Sequence, residues 1–397
     1  MPSGHWSASR RSFLQLSAVA SAAAALRVVA EPMLAAAARS DAPPPGAVII
    51  DGNENPLGPS QSAREAAVAM VPQGGRYLDH LTGDLTASFA QLEGLKPEQV
   101  KFFAGSSRPL HFAVMAFTSR KASYVTADPG YEAGMFAAEA AGARVVKVPL
   151  TKTYGHDVKA MLTAAPDAGL FYICTPNNPT GTLTPHGDIE YLVENKPKDS
   201  VVMVDEAYIH FCDAPSAKDL VKAGKDVIVL RTFSKLYGMA GLRCGLAAAR
   251  TDLLEKIGHL AGWNAMPITA VAAAQASLKD ARLVPERRRI NAAVRQETFE
   301  WLDHNGYTYI PSEANFFQLD TKRPGKEVIE AMARQGVYIG RIWPIMPTHV
   351  RITVGTRDEM LRFQEVFRSV ISASASVAVP HMAPRARIRH DGAVRTG

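Results

Sequence analysis

The stretch Arg231–Gly245, which reads Arg-Thr-Phe-Ser-Lys-Leu-Tyr-Gly-Met-Ala-Gly-Leu-Arg-Cys-Gly, constrains this chain more than any other. It follows an apolar run, Val227–Leu230, of the kind that forms a short buried strand. Lys235 stands just past the hydroxyls of Thr232 and Ser234, and Arg243 follows among Gly238, Gly241 and Gly245. A lysine amine forms a Schiff base with an aldehyde. Hydroxyls, a guanidinium and close-approach glycines suit a phosphate. A ligand with one aldehyde and one phosphate meets both demands, and pyridoxal phosphate is such a molecule. The competing reading is a Gly-rich loop with an ordinary surface lysine.

Two upstream stretches weigh against that alternative. The apolar run Val201–Val204 closes in Asp205-Glu206-Ala207-Tyr208. A carboxylate at the carboxyl end of a buried parallel strand stands where α/β proteins place ligand contacts. Set against a pyridine nitrogen, it keeps the ring protonated and electron-withdrawing. Farther upstream, Gly169–Cys174 ends in Thr175-Pro176-Asn177-Asn178-Pro179-Thr180-Gly181, a rigid polar turn. A helix cap at Asp205 or an Asx-turn at Asn178 explains either stretch singly. Neither explains all three stretches in this order, each after a strand.

These segments resemble the class I and II, fold-type-I aminotransferases that use pyridoxal phosphate, and among them the histidinol-phosphate aminotransferases. The resemblance extends through Asp51–Ser60, Arg76-Tyr77, Ala314-Asn315-Phe316 and Val350–Thr356, roughly residues 48 to 370. It implies a large α/β domain, its mostly parallel sheet sandwiched by helices, and a small α+β domain. It also implies that Lys235, Asp205 and Tyr208 are catalytic, with Asn178 and Tyr208 on the phenolic oxygen. The phosphate falls to Thr232, Ser234, Arg243 and the Gly105-Ser106-Ser107 backbone. Tyr131 matches the aromatic that stacks on the pyridine ring. Tyr77 matches a tyrosine that reaches the partner's cofactor phosphate, so a homodimer is expected. On the substrate side, Arg351 matches a carboxylate clamp and Asn55 lies in the segment covering the mouth. Arg341 and Trp343 lie in a loop that shapes recognition of the distal end. The family has an acidic pair where Ser107-Arg108 stand here. The same scaffold also carries out other chemistry, such as decarboxylation of a phosphorylated amino acid, and a non-catalytic protein retaining the cofactor is a further alternative.

Charge and composition bound the rest. The net charge is +6, but residues 1–40 and 373–397 each hold four Arg and one acidic residue, which leaves the body neutral. That distribution excludes a nucleic-acid footprint on the body. Ser9-Arg10-Arg11-Ser12-Phe13-Leu14-Gln15 matches a twin-arginine export signal, followed by an Ala-rich region and small residues at 35–38. Residues 1–40 therefore read as a signal peptide and the protein as periplasmic or extracytoplasmic, with no stable membrane insertion after cleavage. Residues 41–80 read as an amino-terminal arm, 81–285 as the large cofactor domain, 286–371 as the small domain and 372–397 as a disordered tail. Residues 252–300 read as one long helical connection, with a solvated charged face at Glu286–Arg289. Ser107 reads as a helix N-cap with Pro109 in the first turn. Cys174, Cys212 and Cys244 read as buried free thiols, and no metal-ligand spacing appears among the cysteines and histidines.

Overall fold

The computed structural model describes residues 43–375; the leader read at 1–40 lies outside them. The chain opens with β1 (Val48–Ile50), α1 (Gln61–Met70) and α2 (His80–Glu93). An alternating series follows: β2 (Val100–Phe103), α3 (Ser107–Phe117), β3 (Ser123–Asp128), α4 (Ala133–Ala140), β4 (Val145–Pro149), α5 (Val158–Ala164), β5 (Ala168–Cys174) and α6 (His186–Asn195). It continues through β6 (Val201–Asp205), α7 (Lys218–Lys222), β7 (Val227–Thr232) and β8 (Gly245–Ala249). Three helices, α8 (Thr251–Ala261), α9 (Ile268–Lys279) and α10 (Leu283–His304), lead to β9 (Thr308–Ile310) and β10 (Phe316–Asp320). The last elements are α11 (Gly325–Ala333), β11 (Val337–Ile339), β12 (His349–Thr353) and α12 (Arg357–Ala375).

Seven strands form one sheet in the order β2-β8-β7-β6-β5-β3-β4. Neighbours pair in parallel except β8, which runs antiparallel to both β2 and β7. The central strands β5, β6 and β7 are buried along their whole length. Their near-continuous apolar runs suit a sheet covered on both faces. Successive side chains go to opposite faces. Phe171, Ile173, Val202, Val204, Val227 and Val229 join one core, and Leu170, Tyr172, Val201, Met203, Ile228 and Leu230 join the other. In register, Cys174 sits opposite Asp205, and Asp205 opposite Leu230. The polar residues that end these strands therefore meet at one edge of the sheet.

A second unit holds the antiparallel sheet β12-β10-β9 with its own core. Strand β1, from the start of the chain, pairs in parallel with β11 of this unit. The arm is thus fastened by its first strand to the carboxyl-terminal part, and the residues after Ile50 are led over the large sheet.

Several local expectations change. The N-cap of α3 is Ser106 without a side-chain cap bond, so Ser107 lies inside the helix and Pro109 is its third residue. The connection read over 252–300 is broken into three helices at Gly262 and Asp280. Arg287 is not part of a solvated face: it is buried and donates from Nη1 to the Leu236 carbonyl at 3.0 Å. The tail expected from 372 begins inside α12, which runs to Ala375; residues 376–397 lie outside the described residues.

His156 supports the end of β5 from below. Its Nε2 lies 3.2 Å from both the amide nitrogen and the carbonyl oxygen of Cys174, and the ring is buried. Burial lowers its pKa from 6.5 to about 4. The folded state thus holds this histidine neutral in a range where the unfolded chain protonates it. Its contribution is complete above pH 6.5 and is lost as pH falls toward 4. The expected loss is on the order of 3 kcal/mol across that window. Denaturant unfolding at several pH values, with His156→Gln as control, measures it; equal pH slopes in the two proteins would remove the assignment.

Candidate active site

Lys235 follows β7 in the loop to β8. It is 8% exposed, and its Nζ donates to the Gly52 carbonyl at 3.2 Å. The same nitrogen lies 5.6 Å from the centroid of the Tyr208 ring. Gly52 belongs to the arm, so the lysine is roofed by a segment 183 residues earlier in the chain. Asp205, at the end of β6, is 4% exposed. Its Oδ2 accepts from the Tyr172 hydroxyl at 2.9 Å and its Oδ1 from the Ala207 amide at 3.1 Å. Burial raises its pKa to about 6, against the pull of the Tyr172 and Ala207 hydrogen bonds and the Lys235 charge. A cation placed against this carboxyl would restore its ionised form.

Beside Lys235 lies an anion cradle. The Thr232 hydroxyl donates to Ser234 Oγ at 3.0 Å, and the Ser234 amide donates to Thr232 Oγ1 at 3.1 Å. Arg243 Nη1 donates to Ser234 Oγ at 3.4 Å and to the Ala240 carbonyl at 2.9 Å. Gly105 has φ +87°, and a Cβ there would stand 2.1 Å from Arg243 Nη2. A Cβ on Gly245 would stand 2.4 Å from the Ser106 amide nitrogen. Only glycine at these two positions lets the guanidinium, the β8 backbone and the start of α3 converge. Two hydroxyls, a guanidinium and a helix N-terminus together form a phosphate seat. The residues present therefore fit pyridoxal phosphate: a lysine for its aldehyde, a buried carboxyl for its ring nitrogen and a cradle for its phosphate.

Asn178 and Tyr208 are held from the small-domain side. Asn178 Oδ1 accepts from Arg351 Nη1 at 2.9 Å, and the Tyr208 hydroxyl accepts from Asn53 Nδ2 at 3.1 Å. Arg351 is fully buried opposite Gln318 in the β10–β12 register, and its Nη2 donates to the Asp51 carbonyl at 2.6 Å. Asn53, also fully buried, takes φ 54°, a left-handed conformation that asparagine tolerates. Thr353 and Asn315 hold it in place through its amide, side-chain and carbonyl groups. Asn53, Gly52 and Tyr172 carry no role that the sequence made legible. Asn53 lay within the quoted arm segment, but no sequence signal pairs it with Tyr208.

The remaining candidates separate. Tyr131 is buried in the core on one face of the large sheet, following Gly130. Trp343 is buried and donates from Nε1 to the Gly130 carbonyl at 3.0 Å. Arg341 is buried as well, with both Nη atoms on Glu132 at 3.0 and 3.1 Å, and it stacks 4.5 Å over the Trp343 ring. Its fork faces Glu132 rather than an open mouth. Asn55 ties the arm to the lysine loop, donating to the Leu236 carbonyl at 2.8 Å. Tyr77 is 68% exposed and lies edge-on to Trp263, itself 67% exposed. A small cleft beside the arm is lined by Asn55, Arg287 and Asn315, and Lys235 does not line it. All three cysteines are buried and free.

The pattern Aminotransferase class I and II matches residues 48–367. The chain belongs to this family. It is a pyridoxal phosphate-dependent aminotransferase, similar along most of its length to histidinol-phosphate aminotransferases. The protein of that name from Symbiobacterium thermophilum is 35% identical over 327 residues, covering 82% of this chain and 90% of that protein. The one from Moorella thermoacetica is 33% identical over 333 residues, covering 81% and 84%. The structure of the Sinorhizobium meliloti histidinol-phosphate aminotransferase in complex with pyridoxal-5'-phosphate superposes with a TM-score of 0.78. It is 25% identical, and the match covers 88% of this chain and 96% of that one. The aminotransferase fold thus extends from β1 through most of α12.

Proposed function

We propose that this aminotransferase moves an amino group between a 2-oxo acid and an amino acid or amino-alcohol phosphate, with Lys235 as its central base. The observation that carries this reading is the burial of Lys235 beside the phosphate seat, roofed by Gly52 and Tyr208. When bound, pyridoxal phosphate supplies an electron-withdrawing ring that accepts the electrons left as the donor's Cα loses its proton. Lys235 Nζ would hold the cofactor's aldehyde, and the same amine is the base placed to take the donor's Cα proton. Asp205 would hold the ring nitrogen protonated, and Tyr172 fixes the orientation of that carboxyl. Asn178 and Tyr208 would hold the phenolic oxygen, Tyr131 would hold the ring, and Thr232, Ser234, Arg243 and the backbone of residues 105–107 would hold the phosphate. Arg351, linked to Asn178 by one hydrogen bond, takes the donor's carboxylate. Borohydride treatment of the holoenzyme followed by peptide mapping should place the label on Lys235. In Asp205→Asn the label should stay while turnover falls roughly a hundredfold or more, the scale of losing one preorganised charge partner. A label on another lysine, or near-native turnover in that variant, would refute the assignment.

We further infer a homodimer that shares its active sites through Tyr77. Support comes from exposed Tyr77 and Trp263, which lie edge-on to each other, and from exposed Val68 and Val71 in α1 and just after it. Contiguous exposed apolar surface marks an association face. Sedimentation at assay concentration should give twice the monomer mass, and a fully active monomer would contradict the inference.

We also infer export by the twin-arginine route, on the Arg10-Arg11 motif and the Ala-rich segment after it. No helix among the described residues is long and apolar enough to cross a membrane. Fractionation of cells making the full chain should recover activity outside the cytoplasm. Replacing Arg10 and Arg11 together by Lys should retain it inside; an unchanged distribution would sink the export reading.

A further inference from the structure

Glu132 and Arg341 form a bidentate pair, Nη1 donating to Oε1 at 3.0 Å and Nη2 to Oε2 at 3.1 Å. The arginine side chain is 9% exposed and the glutamate side chain 21%. Glu132 is the N-cap residue of α4, its side chain making no cap bond there, and it directly follows Tyr131. One aromatic ring connects this pair to the reaction centre. Trp343 lies 4.5 Å from the Arg341 guanidinium and 5.6 Å from that of Arg351, and Arg351 donates to Asn178.

We infer that Glu132 sets donor specificity by occupying the Arg341 fork, so that the site favours donors whose distal end carries no negative charge. The inference rests on the transaminase reading and narrows its donor class. A phosphate or carboxylate entering here has to displace Glu132 from the planar fork that fits only one such group. The displaced carboxylate would then remain partly buried beside a second anion, with neither fully paired. An amide, hydroxyl or aromatic end incurs no such cost. Fastening the two units together does not by itself require the pair, because Trp343 Nε1 already bonds the Gly130 carbonyl.

L-Glutamate and L-glutamine differ in distal charge at nearly equal size, which makes them the test pair. With the holoenzyme, the visible absorbance change gives kcat/KM for the first half-reaction of each. Succinate, which has no amine, supplies a second readout by calorimetric binding. The native protein should prefer glutamine. Glu132→Gln should shift the ratio toward glutamate about tenfold or more, a change of about 1.4 kcal/mol. The same substitution should tighten succinate binding by a similar factor, and adding Arg341→Met should abolish both gains. A native preference for glutamate, or a ratio and succinate affinity unmoved by Glu132→Gln, overturns the proposal. Lost stability without a shifted ratio also overturns it, since the pair is then only a clamp. If neither amino acid changes the absorbance, neither is a donor, and the succinate measurement alone decides the proposal: affinity unmoved by Glu132→Gln overturns it.

Discussion

Asp205 sits at the end of β6 with 4% of its surface exposed, and burial lifts its pKa to about 6. A carboxyl so placed needs compensation from its surroundings, because the interior screens charge poorly. Tyr172 and the Ala207 amide supply hydrogen bonds, and Lys235 supplies charge. These partners lie on β5, on the turn after β6 and on the loop after β7, so the parallel register of the three strands is what brings them together. A pyridinium nitrogen would complete the set. The strand ends are thus organised around a buried charge that is fully balanced when the cofactor is seated.

The roof over that charge belongs to the other unit. Pairing of β1 with β11 carries Gly52 and Asn53 over the large sheet, where they meet Lys235 and Tyr208. Asn53 is then held by Thr353 and Asn315, which belong to the small unit's strand β12 and the turn before β10. Arg351 extends the same connection to Asn178. Each contact is a hydrogen bond between buried polar groups, where an unmade partner costs about 1–3 kcal/mol. Movement of the small unit would therefore be felt at the phenolic-oxygen side of the site before it reached the phosphate cradle, whose residues lie at the end of β7, in the loop to β8 and around the start of α3.

At the far end the chemistry changes character. Arg341, Trp343 and Glu132 form a closed stack in which cation, ring and carboxylate satisfy one another. Elsewhere in the molecule a similar logic holds Arg231, which is buried against Glu206 at 2.6 Å. There the pair ties the end of β7 to the turn after β6; at Glu132 it joins the start of α4 to the loop after β11. The same interaction type carries different consequences because of what lies next to it.

The apolar runs ending in Asn178, Asp205 and Thr232 gave away the parallel sheet and the chemistry at its edge, because strand burial and strand-end polarity are local properties of the chain. Lys235 and the glycine at 105 were legible for the same reason, each a few residues past a strand, and Arg243 was legible from the glycines around it just before β8. The partners of these residues were not. Nothing local pairs Asn53 with Tyr208, Tyr172 with Asp205, or Glu132 with Arg341, which are 155, 33 and 209 positions apart. The charged segment Glu286–Arg289 looked solvated, yet Arg287 turns inward, because one helical face of α10 packs on the lysine loop. By itself the sequence determined which groups could hold an aldehyde, a ring nitrogen and a phosphate. Only the tertiary structure decided which cations remain available to a substrate, because a guanidinium's availability depends on the carboxylates and carbonyls that folding brings against it.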